Sequence, residues 1–178
     1  ALCGKTRGGV RRNVVQDLLP WLQRLGMRVS ERRSEGVLTV SFGKRENDFY
    51  LFGGKDEGSA ALIQGMTLAG VFLDEVVLMP RSFVEQACAR CSVEGSRLWF
   101  SCNPEGPQHW FYKEWILQAE KRNALVLHFT MQDNPSLSRT VRRRYERLYA
   151  GVFYRRFILG QWCQAEGRVY DFFDTERV

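Results

Sequence analysis

One stretch of six residues, 70–75, constrains the fold of this chain more than any other. It reads Gly-Val-Phe-Leu-Asp-Glu, and its apolar part extends back to Leu68. A short continuous apolar run is typical of a strand buried on both faces, as in a parallel sheet covered by helices. Ligands of such sheets bind outside the carboxyl ends of the strands. We therefore expect Asp74 and Glu75 to lie at a ligand-binding edge.

The two adjacent carboxylates predict metal and proton chemistry. A carboxylate suits a hard cation such as Mg²⁺, and it can also position a water molecule. Successive residues of a strand point to opposite faces, so Asp74 and Glu75 are expected to divide these two tasks. A strand followed by a solvated acidic turn explains the same residues equally well.

A helix and a second strand follow this stretch. Residues 82–85 have the capping-box pattern, Ser followed three positions later by Glu, and the apolar positions up to Cys91 fall on one helical face. Residues 98–100 form the next apolar run, which ends in Ser101-Cys102-Asn103. Strand, helix and strand over about 30 residues predict a right-handed βαβ unit with parallel strands. If these strands are neighbours, Asn103 lies near the two carboxylates.

Composition and charge permit a nucleic-acid partner without requiring one. The chain has 178 residues, which fits one domain or one domain and the start of another. The formal net charge is +6, and short arginine clusters occur at 142–144 and 155–156. Such a basic bias is consistent with nucleic-acid binding, although for any single cluster a solvated helix or loop surface is the favoured explanation. No run approaches the ~18 apolar residues of a membrane span.

The cysteines indicate reduced thiols. Five cysteines are an odd number without the spacing of a disulfide framework, as expected in a cytoplasm. Cys88 and Cys91 form a C-x-x-C pair, which we interpret as helix packing and not redox chemistry. The only histidines are His109 and His128, too few with these cysteines to favour a zinc site.

The remaining elements are predicted from periodicity and turn residues. Helical spacing runs from residue 11 to 25, where Pro20 should kink the helix and Gly26 should end it. Strands at 37–42 and 49–52 predict a hairpin around a charged loop, 44–48. Further predictions are a strand at the amino terminus, a strand at 125–129, and helices at 60–63, 107–116, 142–149 and 153–159.

The sequence Gly4-Lys5-Thr6 matches the end of the phosphate-binding pattern G-x-x-x-x-G-K-[ST]. The three residues that follow, Arg7-Gly8-Gly9, are a poor helix start, whereas a phosphate-binding loop leads directly into a helix. We interpret the match as coincidental. Because the chain does not begin with Met and starts as if inside a strand, we expect it to be a fragment.

Seven groups of motifs, spread over nearly the whole chain, resemble the large subunit of tailed-phage terminases of the PBSX type. The most specific is Asn103-Pro104-Glu105-Gly106-Pro107 followed by His109-Trp110; the others lie at 49–54, 63–65, 69–80, 82–87 with 89–91, 133–137 and 159–162. The resemblance implies an α/β fold: a P-loop NTPase core of the RecA/ASCE type, with a mainly parallel sheet flanked by helices and truncated at its N-terminus. It also implies that a metal-dependent nuclease domain follows.

The resemblance also implies roles for individual residues. Residues 73–75 resemble the Walker B strand, so that Asp74 coordinates Mg²⁺ and Glu75 activates the attacking water. Ser101, Cys102 and Asn103 resemble the motif that couples hydrolysis to movement. Within it, Ser101 and Cys102 are expected beside the nucleotide, and Asn103 is expected to sense the γ-phosphate.

The chain departs from the family pattern in two ways that affect catalysis. It contains no complete Walker A loop, and in the family Lys5-Thr6 aligns downstream of that loop, which we therefore expect upstream of residue 1. Some terminases carry a finger arginine where this chain has Gln64. Arg90 is a candidate substitute, and a charge on the helix surface is the equally good alternative.

The resemblance implies a division at residue 160. Residues 1–160 are expected to be part of a terminase ATPase domain, and 161–178 a linker towards an absent nuclease domain, so that Asp171 and Asp174 are not nuclease ligands. The parent protein would use ATP and Mg²⁺ to package double-stranded viral DNA in the host bacterial cytoplasm. Its expected partners are the portal protein, the small subunit and further copies in a ring. This chain alone would hydrolyse ATP feebly or not at all.

Three other interpretations remain open from the sequence. The first is a RecA-like helicase or translocase, which the motif at 103–110 disfavours. The second is a basic α/β module that binds DNA without catalysis. The third is a decayed prophage remnant.

Overall fold

The computed structural model describes residues 1–164, which fall into two compact units. The first unit comprises Ala1–Cys102, and the second begins at Asn103. This division differs from the ATPase–linker boundary at residue 160, which stays a prediction. The stretch 165–178, with Asp171 and Asp174, lies outside the described residues.

A six-stranded sheet forms the first unit. In chain order its strands are β1 (Leu2–Gly4), β2 (Arg28–Arg32), β3 (Val37–Phe42), β4 (Arg45–Gly53), β5 (Gly70–Leu73) and β6 (Arg97–Phe100). Their order across the sheet is β2-β3-β4-β1-β5-β6. The four strands β4, β1, β5 and β6 are parallel, while β2–β3 and β3–β4 pair antiparallel. The predicted α/β class with a mainly parallel sheet is confirmed.

Strand register brings the carboxyl ends of the four parallel strands to one edge. Leu2 of β1 lies opposite both Leu51 and Phe72. Leu73, at the end of β5, lies opposite Phe100 at the end of β6. The residues that follow β1, β4, β5 and β6 therefore emerge together. The prediction that β5 and β6 are parallel neighbours is confirmed.

The first long helical segment starts earlier than its periodicity predicts. It consists of α1 (Arg7–Val10), a π-helical turn (Arg11–Val15) and α2 (Gln16–Arg24), with Pro20 inside α2. The predicted stop is confirmed: Gly26 adopts φ 76°, and its N–H donates to the Gln23 carbonyl at 3.0 Å. Glycine adopts this left-handed conformation without a steric penalty.

The remaining helices of the first unit are α3 (Arg81–Ala89) and two 3₁₀ helices, Glu57–Ile63 and Val76–Leu78. Helix α3 buries Phe83, Val84 and Ala87 completely. A second buried cluster joins Leu2 of β1 to Val10, Val15 and residues of β3 and β4. Each large aliphatic or aromatic side chain among them contributes about 1.5–3 kcal/mol by leaving water, so these clusters fix the helices to the sheet.

Two local predictions are wrong. The charged segment 44–48 is not a loop, because β4 already begins at Arg45 and only a tight turn at residues 43–44 separates it from β3. Ser82 does not cap α3: the cap position is Pro80, and the Ser82 hydroxyl instead donates to the Glu57 carboxylate. The capping pattern is a local signal, and this longer-range polar contact replaced it.

The second unit contains short helices around α4 (Arg139–Leu148) and α5 (Gly151–Phe153). Helix α4 begins three residues before its predicted start because the Ser138 hydroxyl caps it, accepting from the Val141 N–H at 3.3 Å. Among the unit's described residues, 103–164, the other helical segments are the π-helical turns Tyr112–Ile116 and Tyr154–Ile158 and the 3₁₀ helix Met131–Asp133.

The predicted strand at 125–129 is wrong. Leu125, Leu127 and Phe129 expose 65–83% of their surface, and no strand pairs with this segment among the described residues. Alternating apolar residues favour a strand only if a partner strand supplies the hydrogen bonds. Within residues 1–164, no helix is long and apolar enough to cross a membrane. None of the five cysteines forms a disulfide in the structure.

Candidate functional site

Ser101 joins the ends of β5 and β6. Its hydroxyl donates to Asp74 Oδ1 at 2.7 Å and accepts from the Glu75 backbone N–H at 3.1 Å. The backbone completes the junction, because the Ser101 N–H donates to the Leu73 carbonyl at 3.0 Å and the Val76 N–H donates to the Ser101 carbonyl at 2.9 Å. One serine thus orients both predicted acidic residues, a relationship that the sequence did not reveal.

Asp74 is also held by the strand on the other side of β5. Its backbone N–H donates to the Cys3 carbonyl in β1 at 2.8 Å. Its side chain is half-buried, and within residues 1–164 no group hydrogen-bonds to Oδ2. One fixed carboxylate with one available oxygen suits Mg²⁺, which is usually held by one or two carboxylates together with waters and substrate phosphates.

Glu75 has an unusual backbone conformation. Its φ and ψ are 52° and 53°, in the left-handed region that non-glycine residues rarely adopt. Such a residue costs about 1–3 kcal/mol and persists where its surroundings hold it, often at functional sites. The turn separates the Glu75 side chain from the regular alternation of β5. In the part of the chain that the structure describes, its carboxylate accepts no hydrogen bond, so it is available to a water molecule.

The end of β1 corrects one argument made from the sequence. Gly4-Lys5-Thr6 leads directly into α1, and the Thr6 hydroxyl caps this helix by accepting from the Gly9 N–H at 3.0 Å. Arg7-Gly8-Gly9 is therefore a competent helix start, because the threonine cap supplies what the glycines lack. The glycine-rich first half of a phosphate-binding loop is still missing from the sequence.

Glycines allow β4 to end close to its neighbours. The Gly54 N–H donates to the Gly4 carbonyl at 2.8 Å. A Cβ atom at Gly54 would lie 2.5 Å from the Phe83 ring, and a Cβ atom at Gly53 would lie 2.9 Å from the backbone nitrogen of Arg7. The Gly-Gly pair is thus required for close packing beside the candidate site.

Cys102 follows Ser101 and is not a reactive thiol. Burial raises the pKa of Cys102 to about 11, because a thiolate would lose its hydration there. A thiol with this pKa stays protonated at neutral pH, so Cys102 is neither a nucleophile nor a ready metal ligand.

Arg90 does not lie at the carboxyl edge with Glu75 in the same chain. It follows α3, and its carbonyl accepts from the Leu68 N–H at 2.8 Å, which places it beside the start of β5. Asp74 follows the end of that strand, six residues later, so the two positions are separated by roughly 20 Å of extended chain. The Arg90 Nε atom is buried without a hydrogen-bond partner in the described region.

Asn103 is the first residue of the second unit. It lines a cleft of about 620 Å³ within that unit, together with Thr130, Asp133 and Tyr145. In this cleft the pKa of Asp133 is lowered, because its carboxylate accepts from the backbone N–H and the hydroxyl of Thr130.

The donor set limits which metal the site could hold. Among residues 1–164, no three His, Cys, Asp or Glu side chains lie together in a way that could hold a metal ion. This argues against a zinc or calcium cage formed by protein alone in that part of the chain. A magnesium ion bound by Asp74 and completed by water and phosphate oxygens needs no such cage.

Comparison with known proteins decides the family. A family model described as terminase large subunit, T4likevirus-type, N-terminal, matches residues 25–177. The chain belongs to this terminase large-subunit family. No curated protein matches it significantly.

Solved structures of the large terminase from a thermophilic bacteriophage resemble this terminase chain closely. One is 56% identical, covers 98% of this chain and superposes with a TM-score of 0.89. A second, in complex with ADP, is 55% identical over 98% of this chain with a TM-score of 0.89. A third, in complex with ATP-gamma-S, is 53% identical over 99%, with a TM-score of 0.86. This chain spans 42–43% of the length of these relatives.

Proposed function

We propose that this chain is part of the ATPase motor of a phage terminase large subunit, which packages viral DNA into procapsids by hydrolysing ATP. The supporting observation is the junction in which Ser101 orients Asp74 and Glu75 at the carboxyl edge of the sheet. Ligands of such sheets bind at this edge. The thermophilic-phage terminase in complex with ADP and with ATP-gamma-S supports the choice of nucleotide.

Asp74 and Glu75 would have separate tasks in this mechanism. Asp74, held by Ser101 and Cys3, would bind Mg²⁺ through Oδ2, directly or through water. The metal, when bound, neutralises charge on the β- and γ-phosphates. Glu75, displaced from the strand by its left-handed turn, would orient the attacking water and accept its proton.

Ser101 is a positioning residue in this proposal, because it acts through the Asp74 carboxylate and the Glu75 backbone. Asn103 lies two residues beyond it, and we retain its predicted role as the γ-phosphate sensor that couples hydrolysis to movement. Cys102 would contribute to the nucleotide environment as a neutral side chain, since its raised pKa keeps the thiol protonated.

Arg90 is a weaker candidate for an arginine finger. Its place at the start of β5 would require it to act on the nucleotide of a neighbouring copy, as a ring-shaped motor would allow. Gln64 remains the position at which some family members carry the finger, and it cannot supply a positive charge.

Several further features complete the proposal. No complete G-x-x-x-x-G-K-[ST] loop occurs in the 178 residues, so we expect feeble ATP hydrolysis or none from this chain alone. We also retain the PBSX type, the boundary at residue 160, and the host cytoplasm as the place of action. The expected partners are double-stranded DNA, the portal protein, the small subunit and further copies in a ring.

Nucleotide binding by the full-length large subunit tests the metal role of Asp74. In calorimetric titration with ATP-gamma-S, Mg²⁺ should strengthen binding to the unchanged protein and should do so much less in Asp74→Asn. The control is Glu94→Gln, which neutralises an exposed carboxylate of the same unit. Equal Mg²⁺ dependence in all three proteins would contradict the proposed site and favour a DNA-binding module without catalysis.

A further inference from the structure

Helix α4 carries a row of exposed arginines. Arg139, Arg143 and Arg147 are spaced four residues apart, and Arg144 lies beside them. All four side chains are exposed. At 100° per residue the first three occupy an arc of about 80°, so they share one face of the helix. We call these four residues the α4 arginine row.

The opposite face of α4 attaches the helix to its own unit. Tyr145 and Tyr149 are half-buried, with ring centroids 5.8 Å apart. Arg142 points away from the row and donates to Gln132 Oε1 at 3.1 Å and to the Asn134 carbonyl at 2.7 Å. Arg142 on this face has a structural role, whereas Arg139, Arg143 and Arg147 face outward; Arg144, at the side of the row, lies over the Tyr145 ring at 5.6 Å from its centroid.

The α4 arginine row lacks acidic partners. The segment 139–156 contains seven arginines and a single carboxylate, Glu146. Within the described residues, no Asp or Glu lies within ion-pair distance of the row, and Glu146 is itself unpaired. Other exposed arginines do have partners, such as Arg32 with Glu35 and Arg81 with Glu85. The row is therefore a patch of uncompensated positive charge, which attracts polyanions.

A shallow hollow of about 510 Å³ runs along this patch. It is lined by Thr140, Leu148 and three members of the row. Guanidinium groups bind phosphate oxygens through two parallel hydrogen bonds, and an adjacent hydroxyl can add another. The polar lining groups are donors that match phosphate, and no carboxylate among them would repel it.

We propose that the α4 arginine row binds the phosphate backbone of double-stranded DNA. The choice of DNA as the polyanion rests on the proposed packaging function. Arg139 to Arg147 span about 12 Å along the helix axis, at 1.5 Å per residue. One strand of B-DNA presents a phosphate every ~3.4 Å along its axis, so the row faces about three or four phosphates. Contacts of this kind position a protein on DNA without reading its sequence.

The test is fluorescence anisotropy of a labelled DNA duplex titrated with this chain in the absence of nucleotide. Four phosphate contacts predict that affinity falls about 150-fold between 50 and 200 mM salt. Arg143→Ala/Arg147→Ala leaves two contacts and should reduce this fall to about 12-fold, with binding at 50 mM salt weakened by at least about tenfold. The matched control is Arg28→Ala/Arg45→Ala, which removes two exposed arginines of the sheet unit and should bind like the unchanged chain.

A second variant separates charge from folding. Arg143→Lys/Arg147→Lys keeps both positive charges and should keep most of the affinity, and circular dichroism should show equal helix content in every variant. The proposal is overturned if the unchanged chain does not bind the duplex, or if the alanine pair binds as tightly as the control pair. The latter result would leave an acidic protein surface as the occupant of the row.

The DNA-binding test of the α4 arginine row is independent of the test of the nucleotide site at Asp74. DNA binding that depends on the row, together with nucleotide binding that ignores Asp74, would support the DNA surface and refute the motor. The reverse combination would support the motor and refute the surface.

Discussion

Replacing Ser101 by alanine removes the group that holds the Asp74 carboxylate and the Glu75 backbone at the candidate site. Its hydroxyl makes one hydrogen bond to the Asp74 carboxylate and one with the Glu75 N–H. Hydrogen bonds to charged groups contribute about 1.5–3 kcal/mol and neutral ones about 0.5–1.5 kcal/mol. Because the site is half-buried, water can replace part of the lost hydrogen bonding. We therefore expect Ser101→Ala to lower the free energy of unfolding by about 2 kcal/mol.

Thermal unfolding followed by circular dichroism measures this loss. For a chain of this size 1 kcal/mol corresponds to about 2–4 °C, so the melting temperature should fall by about 4–8 °C. The control is Ser96→Ala, which removes a single neutral hydrogen bond to the Cys91 carbonyl, 2.9 Å long in the structure. The control should lose about half as much. A melting temperature for Ser101→Ala equal to that of the unchanged chain would refute the orienting role.

Three further predictions concern charge, thiol reactivity and packing. Hydrogen bonds from two arginines lower the pKa of Glu31. The ionised Glu31 therefore stabilises the fold above pH 4.5, the ordinary pKa of this carboxyl group, and this stabilisation is lost as the pH falls through the lowered pKa. The melting temperatures of Glu31→Gln and the unchanged chain should converge in acid. At pH 8, Cys102 should react with iodoacetamide about a hundredfold more slowly than a free cysteine, because only a small fraction of a thiol with a pKa of about 11 is ionised to the thiolate. Mass spectrometry can follow the reaction. Gly54→Ala should cost about 1–3 kcal/mol in urea unfolding through overlap with the Phe83 ring, whereas Gly8→Ala, where an added Cβ meets nothing within 4 Å, should cost nothing.

The βαβ segment formed by β5, α3 and β6 could be predicted because its sequence signals are local and agree with each other. The apolar run at 70–73 and the helical face that follows it specify strand and helix. The handedness and length of the connection then make the strands parallel. The position of Asp74 at the carboxyl edge follows from these rules without any knowledge of tertiary contacts.

Other features depend on contacts that no local pattern encodes. Neither the left-handed conformation of Glu75 nor the hydrogen bonds of Ser101 can be read from residue types, because both arise when β6 packs beside β5. Strand β2 was missed because polar residues dominate it. The strand predicted at 125–129 is wrong for the opposite reason. Its residues have the alternating apolar pattern of a strand, but no strand among the described residues pairs with them.

The most direct test of the proposed motor is steady-state ATP hydrolysis by the full-length large subunit, unchanged and as Glu75→Gln, with DNA and Mg²⁺ present. The amide cannot accept the proton of the attacking water, so the rate should fall by about 10²–10⁴-fold while ATP-gamma-S binding is retained. Glu94→Gln should hydrolyse ATP at the unchanged rate. Equal hydrolysis by Glu75→Gln and the unchanged protein would contradict the assignment of Glu75 as the residue that activates water.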